Sequence, residues 1–351
     1  MRIYQHVDEL NDRDGIGNDI YGFHSVFEKL GFENSVVTRI NNSKNIFTVY
    51  SPQKHPWFLS GDIHILHFGS TGYPLEFFKD LPGQKILRFH NMTPISFFKS
   101  FMNEDLFKTF EKNETKAHLE LYSLHRSISH VISDSNYNQD EYLKIVGRRG
   151  KVRFEVVPVI RNYPLIAMAR KPGYRIGFLG RWVPNKKIED LLFTLFFLRK
   201  IDSRYKLVLL GKKNPIFELY NNEIQRLIAK LDLVNSIEIY ENLTDEEVKM
   251  QLANLDIYLS MSEHEGFGIP ILEAMAADVL VLAYSCSAVI ETVRDAGILF
   301  TKKDFPLLAE LIHKILSSSD LKESILKTQF NRLAKYNNFP FESSLSNLLQ
   351  K

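Results

Sequence analysis

The sequence predicts an α/β protein of two doubly wound domains, each a parallel sheet covered by helices on both faces. Three observations carry this. Short, continuously apolar runs rich in β-branched and aromatic residues alternate with longer helical patterns along the chain, as strands buried on both faces do. The alternation runs through twice, with a break at "RNYPLIAMARKPG", residues 161–173, where prolines and a basic turn interrupt it. The length, 351 residues, exceeds what one core usually serves.

Taken in order, the strand candidates of the first half are "RIYQHV", "NSVVTRI", "DIHILHF", "KILRFH", "HVISDS" and "RFEVVPVI". Helical patterns follow most of them, notably Asp19–Leu30 and a long stretch from about Asn103 to Ser129. The second half restarts with "YRIGFLG", "YKLVLLG", "SIEIYE", "LDIYLSMS" and "VLVLAYS", again separated by helices, and reads as helical from Asp304 onward. Two such series give two doubly wound domains whose ligands bind beyond the carboxyl ends of the strands, in a cleft that both sheets face.

Composition narrows the function. The chain is 44% hydrophobic and 25% charged, ordinary for a globular protein. Its net charge of +2 gives no field that would gather nucleic acid, so no nucleic-acid partner is expected. Cys286 is the only cysteine, which excludes an internal disulfide and a thiolate zinc cluster. The start, "MRIYQHVDEL", has no signal-peptide pattern, and the longest apolar helical run, Leu191 to Leu198, is too short to span a bilayer. A cytoplasmic protein is expected.

The residues that follow the strands are the candidates for chemistry. After "RIGFL" come Gly180, Arg181 and, five residues on, Lys186, ahead of a helix beginning at Ile188. Two cations at a helix N-terminus suit a diphosphate. After "DIYLSMS" comes "EHEGFGIPILEAMA", residues 263–276. Gly266 and Gly268 free the backbone to turn and to present N–H groups, Pro270 suits a first helical position, and Glu273 is expected in the first turn. Glu265 and Glu273 could accept hydrogen bonds from sugar or ribose hydroxyls without transferring protons.

These residues carry a resemblance. Glu265 and Glu273 match the E-x7-E pair of the retaining glycosyltransferases of family 4, and "GRWVPNKK" resembles that family's phosphate loop. "VIETVRDAGILF", with Glu291 and Gly297, looks like the segment after its E-x7-E helix. In the first half, "DGIGNDI" resembles the glycine loop after the first strand. "ILRFHNMTPISFF" is similar to a histidine-bearing strand end of bacterial surface-polysaccharide members, and "ISHVISDSNYNQDEYL" resembles the end of the acceptor domain.

The resemblance implies the GT-B fold, two Rossmann-like domains facing a central cleft. It places an acceptor-binding domain over 1–165, a nucleotide-sugar-binding domain over 166–340, and a last helix, 341–351, crossing back to the first domain. It implies transfer of a sugar, with retention, from a nucleotide-sugar donor to a glycan or lipid-linked acceptor in cell-surface polysaccharide assembly. Arg181 and Lys186 would bind the diphosphate beside Gly180. Glu265 would contact the transferred sugar together with the backbone of Gly266, Phe267 and Gly268, and Glu273 would hold the ribose. His90 would lie against the donor sugar, Gly15 and Gly17 would let a loop close over the diphosphate, and Glu241, Asn242 and Leu243 would lie near the base.

Three departures stand out. Asp278 occupies a turn where the family has glycine and must adopt left-handed geometry itself. Lys187 replaces the glycine of the phosphate loop, and the first glycine loop carries Ile16 between its glycines and Asn18–Asp19 after them. No Asp-x-Asp metal motif stands at a strand end, so neither a metal nor another cofactor is expected, and fixed cations must neutralise the leaving group. Retention then fits a front-face route. The alternatives are a sugar-nucleotide epimerase or phosphorylase, a NAD-dependent oxidoreductase, and a non-catalytic nucleotide-sugar-binding protein. "GIGND" falls short of the dinucleotide fingerprint, and no segment matches a pyridoxal lysine. The aromatic stretch at 93–112 and the basic "GRRGKVR" at 147–153 both belong to the acceptor half. Core-facing aromatics and a solvated turn are the preferred readings; peripheral contact with the inner face of a membrane is the alternative.

Overall fold

In the computed structural model, residues 1–12, 14–44, 48–148, 150–166 and 173–349 are described. They form two compact units, one of Met1–Pro94, Lys108–Arg161 and Asn338–Lys351, the other of Ile95–Phe107 and Asn162–Asn337. The division falls at Arg161; of the break expected at 161–173, residues 167–172 lie outside the described residues.

The first unit is built on a parallel sheet of β1 (Arg2–Leu10), β2 (Glu33–Asn41), β3 (Val49–Tyr50), β4 (Ile63–Phe68), β5 (Gln84–Phe89), β6 (His130–Ser133) and β7 (Arg153–Val156). Their order is β3-β2-β1-β4-β5-β6-β7. Alternate residues of these strands feed two cores. Ile63, Ile65, Ile86 and Ile132 meet Phe23 and Phe27 of the helix Gly15–Lys29. Leu66, Phe68, Leu87, Phe89 and Val131 meet Leu121 and Leu124 of the helix Glu104–Leu124 and Tyr142 of the helix Asn136–Val146. A strand buried on both faces reads as a continuous apolar run. The last helix, Phe341–Leu349, adds Leu345, Leu348 and Leu349 to the first of these cores.

The second unit carries β8 (Arg175–Leu179), β9 (Lys206–Leu210), β10 (Ile237–Tyr240), β11 (Ile257–Ser260), β12 (Leu280–Tyr284) and β13 (Ile298–Phe300), in the parallel order β10-β9-β8-β11-β12-β13. Buried Gln329 accepts from Val281 N and donates to Val279 O, 2.8 and 2.7 Å, and so satisfies the backbone where β12 begins. Residues 95–107, which the sequence reading placed with the first half, group with this unit. Their rings explain why: Phe98 lies 4.9 Å from Phe217 and Phe101 4.9 Å from Tyr220.

Two strand ends differ from expectation. "RFEVVPVI" ends its strand at Val156: Val157 N still donates to Ser133 O, but Val157 O then accepts from Arg88 and Ile160 N donates to Asp19, so the segment goes on to serve side chains. "HVISDS" stops at Ser133, and Ser135 accepts from Asn138 N to cap the next helix. No described helix is long and apolar enough to cross a membrane.

Candidate active site

In each sheet the strand order reverses between two neighbours, β1 and β4 in one and β8 and β11 in the other. Ligands of such sheets bind beyond the carboxyl ends at that point. In the second unit, β8 leads into residues 180–187 and β11 into residues 261–268, so the two candidate loops lie side by side.

Asn185 joins them. Its backbone carbonyl accepts from Glu263 N at 2.8 Å, and its buried side-chain amide donates to His264 O at 3.0 Å. This brings Lys186 Nζ to 2.6 Å from Glu265 Oε1, both side chains remaining partly exposed. Glu265 N is fixed by donation to Ser287 Oγ, 2.8 Å. Arg181 is exposed, without an ion-pair partner among the described residues. The third acid of the segment, Glu263, is committed elsewhere: it pairs with Lys303 at 2.8 Å and Lys187 at 3.5 Å.

The two helix N-termini beside these loops differ. The helix Ile188–Ile201, read from sequence as the anion site, is already filled. Ile188 N donates to Tyr220 Oη, the same hydroxyl donates to Glu189, and Asp190 pairs with Lys303. With two carboxylates in its first turn, this terminus does not call for an anionic ligand. The helix Ile269–Ala276 has no acid in its first turn and no side-chain cap; Gly268, at φ 93°, is its N-cap residue. Its backbone N–H groups and positive dipole end are the better anion site.

Glu273 is the fifth residue of that helix, in its second turn and not its first, and is half-buried. Burial raises the Tyr258 phenol well above its ordinary range, with the Glu265 and then the Glu273 charge adding to the shift. Both carboxylates therefore lie within electrostatic reach of the Tyr258 hydroxyl. Phe267 is buried against Tyr336, its carbonyl accepting from Thr292 Oγ1. Gly266 and Gly268 flank it. Gly180 leaves β8 with its N–H donated to Leu210 O.

Beside β10, Glu241 is exposed and accepts from Lys213 N at 2.8 Å, Asn242 is left-handed and Leu243 is half-buried. The two replaced glycines stand where the backbone is left-handed, Lys187 at φ 55° and Asp278 at φ 57°. Cys286 donates to Ser262 O, and burial pushes its thiol up to about 11, so it offers no thiolate.

In the first unit, Gly15 and Gly17 lie inside the first turn of the helix Gly15–Lys29, not in the loop expected from the sequence. Asp14 caps that turn by accepting from Gly17 N, 2.6 Å. A Cβ on Gly17 would sit 1.9 Å from Asn11 O, whereas Gly15 faces open space. Gly17→Ala should therefore destabilise the chain by about 1–3 kcal/mol in denaturant unfolding, with Gly15→Ala close to neutral.

His90, just past β5, is buried. Its Nε2 lies 3.1 Å from His67 Nδ1, and its Nδ1 lies 3.8 Å from Asp134 Oδ2. Beneath them Arg88 and Asp19 form a fully buried pair with Nε to Oδ2 at 2.7 Å; Arg88 also donates to Val157 O, and Asp19 accepts from Ile160 N. Asp19, His67 and His90 place three ligand-type atoms within 4.8 Å of one another. Arg88 already neutralises that carboxylate, and a divalent ion there would meet the guanidinium directly. The residues do not fit a metal.

Burial holds the His90, His67 and His6 imidazoles well below their ordinary value and His64 at about 4, and it pushes the Asp134 carboxyl up to about 7. The signs oppose. The histidines withdraw stability as pH falls below the unfolded value of about 6.5, while Asp134 withdraws it as pH rises through its folded value. Four imidazoles outweigh one carboxyl, so unfolding at about pH 5.5 should take up protons. Calorimetry in buffers of different ionisation enthalpy measures this uptake; a net release would contradict the assignment.

Sequence reading missed Asn185, Ser287 and Lys303, polar residues with no pattern of their own. It also missed the Asp19–Arg88 pair, which a legible signal announced: an arginine inside the apolar strand "KILRFH" has to have a buried partner.

Residues 168–332 match the family model described as glycosyl transferases group 1. A GDP-mannose:cellobiosyl-diphosphopolyprenol alpha-mannosyltransferase of Xanthomonas oryzae pv. oryzae is 24% identical over 129 residues, 37% of this chain and 33% of that protein. The capsular polysaccharide biosynthesis glycosyltransferase CapM of Staphylococcus aureus is 24% identical over 219 residues, 59% of this chain and 54% of the relative. The chain thus spans from a third to about half of the length of these curated relatives. The crystal structure of TarM superposes with a TM-score of 0.77 at 11% identity, covering 100% of this chain and 99% of that one, a likeness of fold.

Proposed function

We propose, from the match of residues 168–332 to the family model of group 1 glycosyl transferases, that the chain is a retaining glycosyltransferase that uses a nucleotide-sugar donor. Its acceptor is a glycan or lipid-linked sugar of cell-surface polysaccharide assembly. The observation that carries the reading is the 2.6 Å contact between Lys186 and Glu265. It sets a cation for a phosphate beside a carboxylate for a sugar, as the two halves of a sugar diphosphate require.

In this reading the diphosphate lies against the N-terminus of the helix Ile269–Ala276, with Arg181 and Lys186 as its cations. Breaking the bond between the anomeric carbon and the phosphate oxygen places negative charge on the nucleoside diphosphate. Fixed cations and backbone N–H groups aimed at that oxygen stabilise it most as the charge develops. Once Lys186 turns to phosphate, Glu265 is free to accept from sugar hydroxyls, while Glu273 accepts from the ribose. The acceptor hydroxyl forms the new bond on the face the phosphate leaves, and its proton passes to the departing oxygen. In the first unit, which we assign to the acceptor, His90 acts as a neutral hydrogen-bonding group, because burial keeps its imidazole unprotonated.

The relative named as a GDP-mannose:cellobiosyl-diphosphopolyprenol alpha-mannosyltransferase makes GDP-mannose the first donor to try. A thermal-shift screen over UDP-, GDP-, ADP- and dTDP-sugars should single out one base, and the product formed with that donor should keep the anomeric configuration by NMR. Turnover of the donor to an epimer without an acceptor, or binding with no release of nucleotide, would replace this reading with the epimerase or the binding protein.

A further inference from the structure

The first unit also holds an open cavity of about 1070 Å³ at the amino ends of its strands, away from the carboxyl ends where His90 stands. Gln84, His130 and Arg153, the first residues of β5, β6 and β7, line it together with Arg126, Gly150 and Lys151. Three cations from two separate stretches of chain, Arg126 and the pair Lys151 and Arg153, converge there, and among the described residues no carboxylate lines the cavity. Elsewhere several cations are paired: Lys79 with Glu76, Lys144 with Glu141, Arg175 with Glu238 and Lys249 with Glu246.

Among the described residues, Arg126, Lys151 and Arg153 have no ion-pair partner; Arg126 only packs over the Tyr122 ring, 5.5 Å away. Glu155, two residues along β7, feels the Arg153 charge but stays outside the lining. Cations gathered without a counter-charge repel one another, and a multivalent anion relieves that repulsion. The neighbouring imidazole reports the same field: burial first, and then Arg153, lower the proton affinity of His130.

We propose that this cavity binds a phosphate-bearing group, a mono- or diphosphate held by Arg126, Lys151 and Arg153. The inference is independent of the donor site in the second unit. Bidentate hydrogen bonding by two guanidiniums suits phosphate better than a carboxylate ligand, because it offers three or more acceptor oxygens. The group could be free in solution or the headgroup of an anionic lipid, and the chemistry is shared.

Two arms separate these sources. Inorganic pyrophosphate is titrated into the full chain carrying Arg181→Ala/Lys186→Ala, which removes both cations assigned to the donor site, with the His130 ring followed by NMR and assigned through His130→Gln. Vesicles of phosphatidylglycerol and of phosphatidylcholine are sedimented with the wild-type chain. Pyrophosphate that raises the His130 titration midpoint, with affinity about tenfold weaker in Arg153→Gln, supports a free ligand. Capture on phosphatidylglycerol alone, lost in Arg126→Gln/Lys151→Gln/Arg153→Gln, supports a lipid headgroup.

The control variant Lys54→Gln/Lys112→Gln/Lys144→Gln removes equal charge elsewhere on the same unit and should keep binding. If neither probe binds, or if the control loses as much as the cavity variant, the proposal is overturned. All of these cations are exposed, so the variants should fold, and circular dichroism checks that they do.

Discussion

Asp19→Ala is expected to destabilise the first unit by about 3–5 kcal/mol. The carboxylate accepts from Arg88 Nε at 2.7 Å, from Arg88 Nη2 at 3.2 Å and from Ile160 N at 3.0 Å, and both charged side chains are fully buried. It ties together the helix Gly15–Lys29, β5 and the chain that leaves the unit after Pro158. Removing it strands a guanidinium in the core, and the cost of an unpaired buried charge exceeds the net worth of the pair. The double variant Asp19→Ala/Arg88→Met should recover much of the loss, because it removes both charges and keeps most of the volume. Denaturant unfolding of the four chains of this cycle gives the coupling. A double variant no more stable than Asp19→Ala would show that Arg88 contributes through Val157 O and packing, not through the carboxylate.

Lys186→Ala should slow transfer roughly a hundredfold, about 3 kcal/mol of transition-state stabilisation. Arg181→Ala should do the same. The two differ in what else they disturb. Arg181 is exposed and unpaired among the described residues, so its removal touches little besides the ligand. Lys186 also neutralises Glu265 at 2.6 Å, so its loss leaves a carboxylate that repels the diphosphate, and donor binding weakens as well as turnover. Steady-state kinetics separate the cases: Arg181→Ala should lower kcat with a small change in KM, and Lys186→Ala should affect both. Lys186→Arg keeps the charge and should recover most of the activity. Wild-type rates in both alanine variants would refute the phosphate assignment.

What could be read from the chain beforehand divides along physical lines. The strands announced themselves because residues such as Ile63–Phe68 are buried on both faces and leave a continuous apolar run. The left-handed turn at Asp278 was legible because the residue stands where a glycine was expected, and its backbone at φ 57° bears that out. The choice of helix N-terminus was not legible. "GRWVPNKK" shows two cations before Ile188, but only the fold reveals that Glu189 and Asp190 fill that terminus while the helix at Ile269 is left uncapped. Gly15 and Gly17 look like a flexible loop in one dimension; Asp14 capping the turn makes them the start of a helix. Residues 95–107 run into the first turn of the helix Glu104–Leu124, whose rest belongs to the first unit, yet the Phe98 and Phe101 rings find partners at Phe217 and Tyr220. Long-range packing of that kind leaves no periodic trace.

The central claim is that the carboxylates at 265 and 273 divide one sugar nucleotide between them, Glu265 taking the sugar and Glu273 the ribose. Calorimetric titration of the matching nucleoside diphosphate, which has no sugar, into Glu265→Gln and Glu273→Gln tests it most directly. A carboxylate accepting hydroxyl hydrogen bonds away from water contributes about 1.5–3 kcal/mol. Glu273→Gln should therefore weaken nucleoside diphosphate binding by about ten- to a hundredfold. Glu265→Gln should bind the nucleoside diphosphate as the wild type does, while failing to transfer sugar. Loss of nucleoside diphosphate binding in Glu265→Gln with full binding in Glu273→Gln would contradict the assignment.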